Sequence, residues 1–136
     1  MVEIHISTPT REVFVDITAE IEAAVAETAF GGDGVVHVYV PHTTAGVTIN
    51  EGADSSVRDD IVQTLGGLVP RRGGYRHAEG NSDAHIKATL VGPQVSLLVQ
   101  GGRLRLGTWQ SVYLAEFDGP RSRKVWLEFT PGRQFP

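Results

Sequence analysis

Apolar residues alternate with polar ones along most of this chain, which is the pattern of strands that bury one face. Six segments show this period of two, and a further strand, SVYLAEF, follows Trp109 and Gln110. The alternating apolar positions are Val2, Ile4 and Ile6; Val13, Val15 and Ile17; Val36, Val38 and Val40; Ala45, Val47 and Ile49; Val95, Leu97 and Val99; and Val125, Leu127 and Phe129. The pattern predicts a protein that is mostly β-sheet.

Three segments replace the alternation with a helical period. The first runs from Thr18 to about Ala29, with Thr18 as its cap. The second runs from Asp54 to Leu65, with Asp54 as a natural N-cap and Gly66-Gly67 as its end. A third, shorter helix is expected from about Ser82 to Leu90, which would place His85 in its first turn.

The order of these elements is strands, helix, strands, helix, a glycine-rich loop and three or four further strands. This order predicts an α+β fold: a single compact domain over residues 1–136, with a mixed, mostly antiparallel β-sheet and two to three helices packed on one side. A chain of 136 residues buries roughly two thirds of its unfolded surface without a structural metal. Any bound metal is therefore expected to be functional. The end segment TPGRQFP is expected to be irregular.

Composition narrows the functional classes. The chain contains no cysteine, so a metal could be held only by imidazole and oxygen ligands. The N-terminus lacks a signal pattern, and no apolar run approaches the roughly 20 residues of a membrane span, so we expect a cytoplasmic protein with no membrane partner. The net charge of −4 gives no case for nucleic-acid binding.

Three histidines in polar, glycine-punctuated stretches suggest a metal site. His42 follows the apolar run VVHVYVP, while His77 and His85 flank the segment AEGNSDA. Three imidazoles are a common ligand set for a catalytic divalent metal, and they favour zinc or another transition metal over magnesium. The alternative is a surface turn and two incidental histidines, since the spacing of His77 and His85 matches no standard zinc motif. His5 and His37 lie opposite the apolar positions of their strands and are left out.

Carboxylates and hydroxyls lie close to His42 in sequence. Thr43 and Thr44 bring hydroxyl groups, and Glu51 and Asp54 follow one strand later. Glu51 is expected to act either as a metal ligand or as a general base, because a carboxylate bound to a metal loses basicity. Asp54 is also explained by helix capping alone.

Arginines cluster in two places that suit a small anionic ligand. The loop GGLVPRRGGYRH carries Arg71, Arg72 and Arg76, and backbone amides with guanidinium groups can bind phosphate. The loop lacks the P-loop pattern, and a flexible surface loop explains it equally well. Arg121 and Arg123 form the second cluster.

Three long segments resemble the signature segments of the YjbQ family, also called secondary thiamine-phosphate synthase enzymes. They are PHTTAGVTINEGAD, GYRHAEGNSDAHIKATLVG and LRLGTWQSVYLAEFDGPRSRKVWLEF, and they cover nearly the whole chain from His42 onward. The chain departs from the family pattern at Gly52, which stands in place of an asparagine, and at Ser55-Ser56, which replace Pro-Asp. The resemblance implies a compact α+β fold and a homotrimer with clefts between its subunits.

The resemblance also implies a function: an enzyme that joins hydroxymethylpyrimidine pyrophosphate to thiazole phosphate at a three-histidine metal and phosphate site. In that scheme His42, His77 and His85 bind the metal, and the catalytic candidates are Glu51 and Asp54. The candidates for substrate binding are Thr43, Thr44, Arg76, Asn81 and Gln110.

Two other functions remain open from the residues. The first is a metal-dependent hydrolase of a small phosphorylated or amide substrate, in which the metal activates water and Glu51 is the base. The second is a non-catalytic protein that binds a small phosphorylated metabolite.

Overall fold

The computed structural model describes residues 1–133, which form three helices and eight strands. In chain order they are β1 (Val2–Ser7), β2 (Val13–Asp16), α1 (Thr18–Thr28), β3 (Gly34–Tyr39), β4 (Ala45–Glu51), α2 (Ser55–Leu68), α3 (Ser82–Val91), β5 (Gln94–Gln100), β6 (Arg103–Leu104), β7 (Gln110–Glu116) and β8 (Ser122–Pro131). The predicted α+β class is confirmed. The predicted irregular end begins later than expected, because β8 includes Thr130 and Pro131; residues 134–136 lie outside the described residues.

The strands form two sheets, and every pair within them is antiparallel. The first sheet has five strands in the order β1-β8-β3-β5-β6, and the second has three in the order β2-β7-β4. The sequence predicted one mixed, mostly antiparallel sheet. The strands of residues 1–133 instead divide between two sheets that contain no parallel pair. The division cannot be seen in the alternation, because each strand has the same period whichever sheet it joins.

The main core lies between the two sheets and is closed by α1. The alternating apolar positions of the sequence supply its buried side chains, and Ile21 and Val25 supply those of α1. On the other face of the three-stranded sheet, α2 and α3 pack over a second cluster, which contains Phe14, Tyr113 and Phe117. None of the α2 residues 55–68 is fully buried. The outer layer formed by α2 therefore holds less tightly than the two-sheet core.

Two predicted helix ends differ from the structure. Asp54 caps α2 as expected, since its Oδ1 accepts the backbone N–H of Ser56 at 3.0 Å. However, α2 continues through Gly66 and Gly67 to Leu68, because a glycine in a helix weakens it without ending it. Thr18 is not a cap: it is the first residue of α1, and its Oγ1 accepts the N–H of Val112 at 2.9 Å.

The outer face of the five-stranded sheet carries His5 and His37. His5 is paired in register with Lys124, and His37 with Glu128, so both histidines lie on the face opposite the core. The predicted site does not include these two histidines, and their position on the outer face is consistent with that choice. Among residues 1–133, no helix is long and apolar enough to cross a membrane.

Candidate functional site

A cleft of about 370 Å³ opens where the β3–β4 connection, the N-terminus of α3 and the β7–β8 connection meet. Its lining is mostly polar, and we call it the polar cleft. The lining residues are Pro41, His42, Thr43, Thr44, Glu79, Asn81, His85, Asp118, Arg121 and Arg123. Five candidate site residues therefore come together here: His42, Thr43, Thr44, Asn81 and His85. The second arginine cluster, Arg121 and Arg123, joins them.

A buried ion pair between Glu116 and Arg123 supports the floor of the polar cleft. Glu116 is 0% exposed and Arg123 is 4% exposed. Arg123 Nε donates to Glu116 Oε1 at 2.8 Å, and Arg123 Nη2 donates to Thr44 Oγ1 at 2.8 Å. Thr8 Oγ1 also donates to Glu116, at 2.7 Å. Burial opposes ionisation of Glu116, but the hydrogen bonds from Arg123 and Thr8 outweigh it and lower the pKa of this carboxyl. The network fixes the hydroxyl of Thr44 at the cleft.

His42 presents a hydrogen-bond donor to the polar cleft. Its Nε2 accepts the backbone N–H of Lys124 at 2.9 Å. A neutral imidazole has one donor nitrogen and one acceptor nitrogen, so the proton of His42 lies on Nδ1. Burial, and after it the charge of Arg123, lowers the pKa of His42 below its ordinary value, so that the neutral form dominates at neutral pH. The group that His42 offers to a ligand is therefore the Nδ1–H.

Asp118 connects two other residues of the polar cleft. Its Oδ2 accepts Asn81 Nδ2 at 2.9 Å and Arg121 Nη2 at 3.1 Å. Burial opposes ionisation of Asp118, but the bonds from Asn81 and Arg121 outweigh it and lower its pKa. Arg121 also donates its Nε to the backbone oxygen of Asp118 at 2.8 Å. These bonds hold the guanidinium at the cleft through Nε and Nη2, and they do not use Nη1.

A second buried charge cluster fixes α3, which carries His85. Asp83 and Lys87 are 0% and 2% exposed, and they lie one turn apart on α3 with Lys87 Nζ 3.0 Å from Asp83 Oδ2. Lys87 also pairs with Glu12, and Arg11 Nη2 donates to Asp83 Oδ1 at 3.0 Å. Burial opposes ionisation of Asp83, but the hydrogen bonds from Arg11 and Lys87 outweigh it and lower its pKa. These bonds tie α3 to the two residues that precede β2 and so set the position of His85.

A second cavity of about 310 Å³ adjoins the polar cleft at His85. Its lining is richer in rings, and we call it the ring cavity. The lining residues are Tyr75, Arg76, His77, Ser82, His85 and Ile86. The rings of His77 and His85 meet edge to face, with centroids 5.3 Å apart and planes at 86°. His77 and Arg76 therefore lie beside the polar cleft but not in its lining.

The three histidines do not form the predicted metal centre. Within residues 1–133, no group of three or more histidine, cysteine, aspartate or glutamate side chains could hold a metal ion. His42 uses its Nε2 lone pair for the Lys124 amide, and its Nδ1 carries a proton, so neither nitrogen is free to ligate. His77 lies in the ring cavity, with its Nε2 3.6 Å from Glu79 Oε2. The three-histidine metal site is therefore wrong, while a divalent metal cofactor as such stays a prediction.

Glu51, Asp54 and Gln110 lie at the far end of the three-stranded sheet. The seven residues of β4 separate them from the polar cleft by about 20 Å. Glu51 Oε2 accepts the backbone N–H of Ala53 at 2.7 Å, and Asp54 caps α2. Gln110 is paired in register with Glu51. The structure does not bring these three residues to the cleft, and their catalytic and substrate-binding roles stay predictions.

Sequence reasoning did not assign the β7–β8 connection to the site. Asp118, Arg121 and Arg123 all line the polar cleft. The segment DGPRSR carried a usable signal, since it places two arginines and an aspartate directly after an apolar strand. The sequence predicts an anion-binding cluster at these arginines, but no local pattern shows that they contact His42, which lies about 80 positions earlier in the chain.

Comparison with known proteins identifies close relatives over nearly the full length. A family model described as UPF0047 protein YjbQ-like matches residues 2–132. A UPF0047 protein from Methanocaldococcus jannaschii is 49% identical over 124 residues, which cover 91% of this chain and 89% of the relative.

Solved structures of similar proteins have the same fold. An uncharacterized conserved protein of the YjbQ/UPF0047 family from Clostridium acetobutylicum has a TM-score of 0.92 and 46% identity, and the match covers 96% of this chain and 100% of that one. A conserved hypothetical protein from Thermus thermophilus has a TM-score of 0.89 and 50% identity, with the same coverage.

The prediction of thiamine-phosphate synthesis is wrong. The descriptions of these relatives name the family alone or call the protein uncharacterized or hypothetical, and none assigns a synthase activity. The metal centre on which the predicted reaction depended is also not formed among residues 1–133. The function has to be argued from the two adjoining cavities.

Proposed function

This chain belongs to the YjbQ-like UPF0047 family, and we propose that it binds a small phosphorylated metabolite in the polar cleft. The observation that carries the proposal is the state of His42, whose Nδ1–H is fixed as a donor by the Lys124 amide. A phosphate monoester at neutral pH carries close to two negative charges, and its terminal oxygens then act mainly as acceptors. A neutral N–H donor in a polar cleft suits that ligand.

The other groups of the polar cleft support the same ligand. Arg121 brings a guanidinium, whose planar fork matches phosphate oxygens. Thr43 and Thr44 bring hydroxyls, and Thr44 Oγ1 accepts from Arg123, so its own proton can point to a ligand. The volume of about 370 Å³ falls within the roughly 300–1,000 Å³ of small-molecule sites.

Binding without turnover is better supported than hydrolysis. The hydrolytic alternative requires a metal-activated water and Glu51 as base, but Glu51 lies at the far end of β4 and its carboxylate accepts a backbone amide of its own loop. Enzymatic activity stays a prediction. The purified protein can be assayed for release of inorganic phosphate from a phosphomonoester. Release that is lost in His42→Ala would show that the protein is a hydrolase and would overturn binding without turnover.

The binding proposal is tested by titrating inorganic phosphate and methyl phosphate into the protein and following backbone amides by NMR. We expect shifts in the residues of the polar cleft. His42→Ala should weaken binding roughly 10- to 100-fold, as loss of a hydrogen bond to a charged group does. The matched control is His37→Ala, which removes an imidazole from the outer face of the five-stranded sheet and should change nothing. Equal affinities in wild type and His42→Ala would overturn the proposal.

The metal prediction has its own test. Elemental analysis of protein purified without an affinity tag compares wild type with His85→Ala at equal concentration. Stoichiometric zinc or another transition metal in wild type that disappears in His85→Ala would establish a metal centre and overturn direct phosphate contact by the histidines. Absence of bound metal from both proteins would leave direct contact as the proposed mode.

Assembly as a homotrimer also stays a proposal. A subunit interface would have large apolar side chains to cover, among them Trp109 at 66% and Leu98 at 63% exposure. Light scattering coupled to size-exclusion chromatography measures the mass directly. A mass near 14.7 kDa would show a monomer and overturn the trimer.

A further inference from the structure

The polar cleft and the ring cavity share one side chain, His85. A single small ligand could therefore reach from one cavity into the other past His85. The two linings differ in chemistry: hydroxyl, amide and charged groups dominate the first, and rings with an aliphatic side chain dominate the second. This contrast indicates a ligand with two unlike ends.

The rings of the ring cavity are held in place. Tyr75 donates its hydroxyl to the backbone oxygen of Pro70 at 2.6 Å, which fixes the far end of its side chain. A Cβ at Gly73 would lie 3.1 Å from the Tyr75 ring, so glycine there allows the ring to approach the backbone closely. His77 is fixed from the other direction by its edge-to-face contact with His85. The cavity thus offers preformed aromatic surfaces.

Ile86 and Arg76 complete this surface. Ile86 lies on α3 next to His85 and is 39% exposed, so its apolar side chain is available to a ligand. Arg76 brings a guanidinium to the same cavity, and guanidinium groups stack on aromatic rings. Apolar contact accepts any hydrophobic group, whereas edge-to-face packing and cation–π contact favour a flat ring over a flexible chain.

We propose that the ligand of this protein is a phosphate monoester with a flat aromatic ring close to the phosphate, with the phosphate in the polar cleft and the ring in the ring cavity. The proposal rests on the proposed function, because it takes the polar cleft as the phosphate site. It adds the class of molecule that the protein selects among phosphorylated metabolites.

The test compares phenyl phosphate with methyl phosphate, which carry the same charged group and differ in the ring. We expect phenyl phosphate to bind wild-type protein about tenfold more tightly, the order of magnitude that one packed ring supplies. Ile86→Ala and Tyr75→Ala should remove this preference without changing the affinity for methyl phosphate. Leu90→Ala is the matched control, since Leu90 lies on the same helix at 62% exposure outside both cavities and should keep the preference.

A second variant separates the ring of Tyr75 from its anchor. Tyr75→Phe keeps the aromatic face and loses the bond to Pro70, so most of the preference should remain. Equal affinity of wild-type protein for the two esters would overturn the ring proposal and leave the phosphate site standing. A preference that persists in both Ile86→Ala and Tyr75→Ala would overturn it as well. If neither ester binds, the proposed function falls and this inference falls with it.

Discussion

Replacing Glu116 by glutamine tests the buried network under the polar cleft. Glutamine has nearly the same shape but no charge, so it leaves the guanidinium of Arg123 buried at 4% exposure without its counter-charge. It also gives up acceptor capacity toward Thr8 and the amide of Asp118, which both donate to Glu116. Breaking a buried ion pair by removing one partner costs about 3–5 kcal/mol.

That cost is large for a domain of 136 residues. Typical stabilities are about 5–15 kcal/mol, so Glu116→Gln should remove about a fifth or more of the free energy of unfolding. For this size, each kcal/mol corresponds to about 3–5 °C, which predicts a melting temperature lower by about 10–25 °C.

Urea unfolding followed by circular dichroism measures the effect. The double variant Glu116→Gln with Arg123→Met should be more stable than Glu116→Gln alone, because it removes the unpaired charge as well. Glu27→Gln, on the exposed surface of α1, is the matched control and should change the free energy of unfolding by no more than about 0.5 kcal/mol. A loss below about 1 kcal/mol in Glu116→Gln, or a double variant no more stable than the single one, would refute the reasoning.

Three further predictions concern a pair of glycines, the loss of stability at acid pH and the tautomer of His42. Gly52→Ala should destabilise the protein by about 1–3 kcal/mol in urea unfolding, because the new Cβ would lie 2.0 Å from Ser111 Oγ. Gly66 lies in helix α2, and a Cβ there would meet nothing within 4 Å. Gly66→Ala should therefore stabilise the protein by about 0.5–1 kcal/mol in the same assay. The pKa of Asp83 is lower in the folded protein than in the unfolded chain, so its contribution to the free energy of unfolding should be complete above the unfolded value of about 3.9. It should be lost as pH falls below that value and through the lower folded pKa, with a shallower fall in Asp83→Asn. Nitrogen NMR of the His42 ring should show the proton on Nδ1 at pH 7, and a proton on Nε2 would contradict the bond from Lys124.

The sequence predicts the local elements of this fold well. Strand alternation such as Val36, Val38 and Val40 identifies a segment that buries one face, and all of these residues are buried. Helix α3 was expected with His85 in its first turn and is found there. The pairing of strands into two sheets could not be predicted, because registers join residues far apart in sequence, as in the pairing of Val2 with Leu127.

The candidate site shows the same limit. His42 and His85 line one cleft, so the segment after β3 meets the N-terminus of α3, a contact that no local pattern in either segment shows. Glu51 was expected to act beside them as a metal ligand or as a general base. Instead β4 is extended, and its length carries Glu51 away from the cleft. The hydrogen bond from Lys124 that decides the chemistry of His42 comes from β8, more than eighty positions away, and no local pattern encodes it.

The loose packing of α2 has a consequence for how the protein opens. A helix with no fully buried residue has little apolar surface to lose, so its backbone amides should exchange with solvent through local openings that cost far less than global unfolding. The segment 69–81 follows α2 directly and carries one wall of the ring cavity. Warming or mild denaturant should therefore release residues 55–81 as a unit and widen the ring cavity. The buried charges beneath the polar cleft, anchored in β7 and β8, should stay protected until the two sheets separate.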